Sequence, residues 1–156
     1  MSDPVTSQAL MLVSALGYGV ASAVIPVLNA EVYLVAAGAM VSRALRLPLV
    51  AVFTVGTMIG KGAMYAGASA LAERATPTVR AHADRAAALL RRHPVAAWPI
   101  VCLSALVGLP PFYAITIAAG VVRLGLTRFL VAGGIGRFVR FMLIISAGGA
   151  LTGLWR

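Results

Sequence analysis

The chain of 156 residues is 61% hydrophobic and only 11% charged, against about 25% charged in soluble domains. That composition excludes a soluble globular protein and predicts an all-α integral membrane protein, folded as one membrane domain over 1–156. Thirteen Lys and Arg against four Asp and Glu give a formal charge of +9. The arginines are scattered between apolar segments and form no single stripe, so no nucleic-acid partner is expected.

The N-terminal segment has Asp3 and no Lys or Arg before its apolar run, unlike a secretory signal, so it is read as part of the mature protein despite the "ASA" triplet at 21–23. Residues 5–25 are an apolar run that serves either as the first arm of a hairpin or as a full span. Pro26 breaks it. Asn29 then has the chemistry of an N-cap, and Glu31 falls in the first turn of the short apolar run 30–42. As a helix that run measures about 20 Å, too short for a hydrocarbon core of about 30 Å.

Residues 47–71 are long enough to cross. They carry Gly56-x-x-x-Gly60 and Ala63-x-x-x-Gly67, two small faces for close helix packing. The polar segment 72–94 has a helix start at Thr76-Pro77 or Thr78. Val79, Ala83, Ala86 and Leu90 fall on one side of it, which predicts a short amphipathic helix lying at the membrane interface. A short apolar run over 95–109, a break at Pro110-Pro111, a second short run over 112–122 and a long run over 124–151 complete the chain.

The two halves agree in order. Pro26 matches Pro110, Ala36-Ala37-Gly38 matches Ala118-Ala119-Gly120, and Ile59-Gly60-Lys61 matches Ile135-Gly136-Arg137. This predicts two repeats, about 9–71 and 95–151, each a re-entrant helical hairpin followed by one transmembrane helix, the second inverted relative to the first. Irregular backbone at a hairpin tip is tolerated within the bilayer where protein buries it or it lines a wet cavity. Arg74, Arg80, Arg85, Arg91, Arg92, Arg123 and Arg128 fall on one side and Arg43, Arg46 and Arg156 on the other, so the loop 72–94 is expected to be cytoplasmic. Homo-oligomerisation is a default expectation for so few helices.

Four ionisable residues lie within apolar segments: Glu31, Lys61, Arg137 and Arg140. Charge there is costly, so each is a candidate functional group. Three cations against one carboxylate suit an anionic ligand such as a phosphate. Arg137 and Arg140, three apart with Phe141, share a helix face, and guanidinium forks match phosphate oxygens. Pro110-Pro111 starts a second short helix aimed at the same place. In the structural alternative Lys61 and Arg140 snorkel and Arg137 pairs with Glu31. Trp98 and Trp155 read as interface anchors and Tyr113 as a belt residue. The lone Cys102 reads as a packing residue. His82 and His93 lack ligand-spaced partners, and no nucleophile elbow, phosphate loop or paired carboxylates occur. No metal, cofactor or enzymatic activity is therefore expected.

"IPVLNAEVYLVAAG" resembles the first signature of the DedA family, also called the SNARE-associated Golgi protein or VTT-domain family. "LPPFYAITIAAGVVRLGLTRFLVAGGIGRFVRF" is similar to its second signature, closest to the small YqaA-like branch. The resemblance covers roughly 20 to 151. It implies opposed re-entrant hairpins and movement of lipids between leaflets: polyprenyl-phosphate carriers in bacteria, with dependence on the proton-motive force, and phospholipids in eukaryotic relatives. By position Glu31 matches the family's acidic residue, and Pro26, Gly38, Pro110 and Gly120 match its hairpin framework. Two features depart from the pattern. An upstream acidic residue and the arginines flanking the second hairpin's proline are absent from "GYGVAS" and "SALVGLPPFYA"; Arg137 and Arg140 are taken as replacements.

The leading expectation is a transporter of an anionic lipid, an anionic phospholipid or a polyprenyl phosphate, in the bacterial inner membrane. Glu31 serves as the proton-coupled or gating carboxylate, and Arg137, Arg140 and Lys61 serve as the headgroup site. A transporter or channel for a small soluble ion, and a scaffold without transport, are the alternatives.

Overall fold

The computed structural model describes residues 4–25 and 27–153. Among these residues the chain is helical throughout, without strands: α1 (Pro4–Val24), α2 (Ala30–Met40), α3 (Arg43–Ala66), α4 (Ala68–Arg74), α5 (Pro77–Arg92), α6 (Ala97–Val107), α7 (Phe112–Val121) and α8 (Leu126–Gly153). Three helices are long and apolar enough to cross a membrane, over Thr6–Val24, Arg43–Ala66 and Leu126–Ala150; α2, α6 and α7 are apolar but too short. Pro26, the expected break of the first hairpin, lies outside the described residues, as does Trp155.

Helix boundaries follow local chemistry. The run read as 5–25 is an unbroken helix of spanning length, so the first arm is not half-length like α2. α3 begins at Arg43, four residues before the expected start at 47, because Arg is a good helix former and continues the apolar run backward. It stops at Ala66. Gly67 sits between α3 and α4 with its N–H on the Ala63 carbonyl, so Ala63-x-x-x-Gly67 marks a helix end and not a packing face. α6 ends at Gly108, whose φ of +88° is the left-handed value glycine adopts without a Cβ penalty. Gly125, at φ +97°, makes the corresponding turn into α8.

α5 starts at Pro77 as its sequence predicts, with Pro at the first helical position. Its apolar side, however, is covered by protein. Ala83, Ala86, Ala87 and Leu90 are buried, and α5 packs against α7 and α6. The face expected to rest on the membrane interface instead forms the wall around α7.

The chain divides into two compact units. One holds the residues up to Gly60 and those from Phe138 onward; the other runs from Lys61 to Arg137. α3 and α8 each continue without interruption through a boundary. In the first unit, Leu34, Leu49, Val50, Phe53, Phe141 and Ile145 form the core. Tyr18 stacks on Tyr33 at 4.6 Å, Tyr33 on Phe53 at 5.3 Å, and Phe141 meets Phe53 edge-on at 5.1 Å; aromatic pairs in these geometries add about 0.5–1.5 kcal/mol each beyond area burial. Small residues let backbones touch. A Cβ on Gly56 would strike the Leu16 carbonyl of α1, and one on Gly38 would strike the Ile145 carbonyl of α8.

In the second unit α7 is enclosed on all sides, with Phe112 and Ala114 through Ala119 buried. Phe112 stacks on Phe129 at 5.8 Å, Phe129 on Tyr65 at 5.4 Å, and the Tyr65 hydroxyl accepts the Gly125 N–H at 3.1 Å. Gly120 lies against Tyr65 and Ala68, and Gly136 against Cys102 and Ala105 of α6.

Because the atom facing Gly38 is a backbone carbonyl, Gly38→Val should lower unfolding stability in detergent by about 1–3 kcal/mol through overpacking. Gly17, which has nothing within 4 Å of an added Cβ, should tolerate Gly17→Ala or gain about 0.5–1 kcal/mol from helix propensity. Thermal or denaturant unfolding of the two variants checks this contrast; equal effects would contradict the packing.

Candidate functional site

Asn29 builds the first half of the site. Its backbone is extended, and its side-chain Oδ1 accepts the N–H groups of Glu31 at 2.9 Å and Val32 at 3.4 Å. This is the expected N-cap, and it fixes Glu31 in the first turn of α2, where a carboxylate is favoured by the helix dipole. From α8, Arg140 donates to Glu31 Oε1 through both Nε, at 3.1 Å, and Nη2. The neighbouring Phe141 is fully buried against Phe53, which sets the rotation of α8 and turns Arg140 toward α2. The pair is only partly enclosed, with Arg140 25% and Glu31 46% exposed. A two-point, charge-assisted contact of this type is stronger than a neutral hydrogen bond, yet it stays accessible to a competing anion.

The other end of α2 is also held by an arginine. Arg46 Nη2 donates to the Gly38 carbonyl at 3.1 Å, near the negative end of the helix dipole, and the Arg46 guanidinium occupies the space that a Cβ on Gly149 would need. Its Nε is buried without a hydrogen-bond partner among the described residues. Counting Arg46 among topology-setting loop charges missed this role. The available signal was an arginine one turn into the helix that follows a short helix ending in small residues.

Lys61 and Arg137 lie in the second unit. Lys61 is 4% exposed, its ammonium 5.0 Å from the centre of the Tyr113 ring, with Nζ donating to Met64 Sδ at 3.5 Å. Arg137 places its guanidinium carbon 4.8 Å from the centre of the Phe112 ring. Both rings stand at the start of α7, where Pro111 precedes the helix and the Pro110 carbonyl accepts the Ser104 hydroxyl at 2.6 Å. The Pro110-Pro111 break therefore sets the two aromatic faces on which the cations rest, each contact being worth about 0.5–2 kcal/mol when desolvated.

Three sequence expectations change here. Glu31 pairs with Arg140 and not with Arg137. Lys61 does not snorkel, being enclosed. Tyr113, expected as a belt residue, lies beneath the Lys61 ammonium. The three expected headgroup cations are found as one, Arg140, in the first unit and two, Lys61 and Arg137, in the second. Gly38 and Gly120 sit at close backbone approaches, as framework residues should. Trp98 is exposed on α6, Cys102 is a half-buried thiol, and His82 Nδ1 lies 2.8 Å from the Thr78 carbonyl.

A double-mutant cycle on Glu31→Gln and Arg140→Gln should return a favourable coupling of about 0.5–3 kcal/mol in unfolding experiments, as expected for residues in direct contact. The exchange Glu31→Arg with Arg140→Glu should recover part of the loss; additive single effects would contradict the pair. No family model, no curated protein and no solved structure matches this chain.

Proposed function

We propose that the chain is a membrane transporter that moves an anionic lipid, a polyprenyl phosphate first among them, between leaflets, and that it belongs with the DedA family it resembles. The observation that carries this reading is the Glu31–Arg140 pair, a partly open carboxylate–guanidinium contact between the first turn of a half-length helix and a helix long enough to span. A lipid phosphate offers the same oxygens to a guanidinium fork that a carboxylate does. In the proposed cycle the phosphate displaces Glu31 from Arg140, and a proton taken up by Glu31 weakens its hold on the guanidinium. The hydrocarbon tail stays in the bilayer.

The proposed architecture is two inverted repeats with re-entrant hairpins. Equivalent positions that behave alike support it. Gly60 packs on α1 as Gly136 packs on α6, and Gly38 and Gly120 each lie on a backbone of another helix. The spanning length of α1 is where the first repeat departs from the second. The arginine-rich stretch α4–α5 is proposed to face the cytoplasm in a bacterial inner membrane.

The test is leaflet-to-leaflet movement of a labelled polyprenyl phosphate in proteoliposomes, with and without a pH gradient. Wild type should move the lipid above empty vesicles in a gradient-sensitive way. Glu31→Gln and Arg140→Ala should slow it by at least roughly tenfold, the loss expected when a positioned charge contact worth over 1.4 kcal/mol is removed. Lipid movement no faster than in empty vesicles would refute the lipid reading, and movement of soluble phosphate in its place would point to an ion transporter.

A further inference from the structure

We propose that the hollows around Pro94 and Val95 form a docking site for the phosphate headgroup of an anionic membrane lipid, built from residues other than the charged groups of the proposed transport site. The turn joins two segments of opposite character. α5 ends in the exposed Arg91 and Arg92, and five residues after Arg92 α6 begins, an apolar helix without a charged residue. A chain that changes from water-compatible to lipid-compatible over so short a stretch places that stretch at the height of the headgroups. Trp98, 42% exposed in the first turn of α6, has the amphipathic ring that favours the same level.

Two cavities share Pro94 and Val95. One, of about 510 Å³, is lined by Arg92 and His93, and the other, of about 220 Å³, by Trp98, Leu124 and Arg128. No Asp or Glu lines either of them. Each hollow therefore offers a guanidinium, and between them Val95 stands 94% exposed beside the indole. A soluble anion would use the arginines and leave the apolar surface unmatched, while a neutral lipid would use the apolar surface and leave two guanidinium groups unanswered. A molecule with a phosphate at one end and hydrocarbon at the other satisfies both.

The experiment uses the full chain with Trp155→Phe, so that Trp98 is the one indole left of two. The protein is reconstituted in vesicles of phosphatidylcholine and phosphatidylglycerol in which either lipid carries brominated, quenching acyl chains. Brominated phosphatidylglycerol should quench Trp98 more strongly than brominated phosphatidylcholine at equal mole fraction. Arg92→Gln and Arg128→Gln should each reduce the phosphatidylglycerol preference about fivefold, the effect of one arginine near an anionic surface. The double variant should abolish it, while Arg74→Gln with Arg80→Gln, the same charge removed from elsewhere on the arginine-rich surface, should keep it. Helical circular dichroism identical to the parent's accompanies each variant. Equal quenching by the two lipids, a preference that survives in the double variant, or a preference lost equally in the Arg74 and Arg80 control would overturn the site. Suppression of the preference by inorganic phosphate would overturn the lipid as its occupant.

Discussion

A charge inside an apolar helix must be answered by something nearby, because the bilayer core offers neither water nor counterions. That constraint explains the least regular parts of this chain. Glu31 is answered by Arg140, Arg46 by the carbonyl end of α2, and Lys61 and Arg137 by the faces of Tyr113 and Phe112. Each answer requires a helix end or an aromatic ring at a particular height. The two short helices α2 and α7 supply those features, α2 through both of its ends and α7 through the two rings at its start.

Close packing is the mechanical counterpart. Helices do not associate in lipid by burying apolar surface from water, so contact must come from shape. Gly38 against Ile145 and Gly120 against Tyr65 bring a short helix within backbone distance of a longer one, and the same approach that removes a Cβ leaves the charged side chains on the neighbouring turns within reach of their partners. Asn29 contributes at the level of single hydrogen bonds, by satisfying two N–H groups at the start of α2.

The chemistry of the two units differs in a way that bears on function. In the first, opposite charges meet in a pair whose members both remain partly accessible. In the second, Lys61 and Arg137 each rest on the face of an aromatic ring at the start of α7. Arg92 at the end of α5 and Arg128 of α8 line the two hollows around Pro94 and Val95.

The sequence by itself determined the solvent, the approximate extent of the two later long helices, the N-cap at Asn29 and the position of Glu31 in a first turn, since these depend on composition, run length and contacts within a few residues; that the first run is a third helix of spanning length came from the structure. The sequence also singled out Glu31, Lys61, Arg137 and Arg140, because rarity of charge in an apolar run is visible without a fold. Only the tertiary structure decided which cation meets Glu31, that Arg46 closes α2, that Lys61 is enclosed over Tyr113, and that α5 turns its apolar face onto α7. Arg137 and Arg140 are three residues apart on one helix, and a difference in rotation of about 60° separates them. Which of the two faces α2 is settled by the packing of Phe141 against Phe53, a contact between residues far apart in the chain that no local pattern encodes.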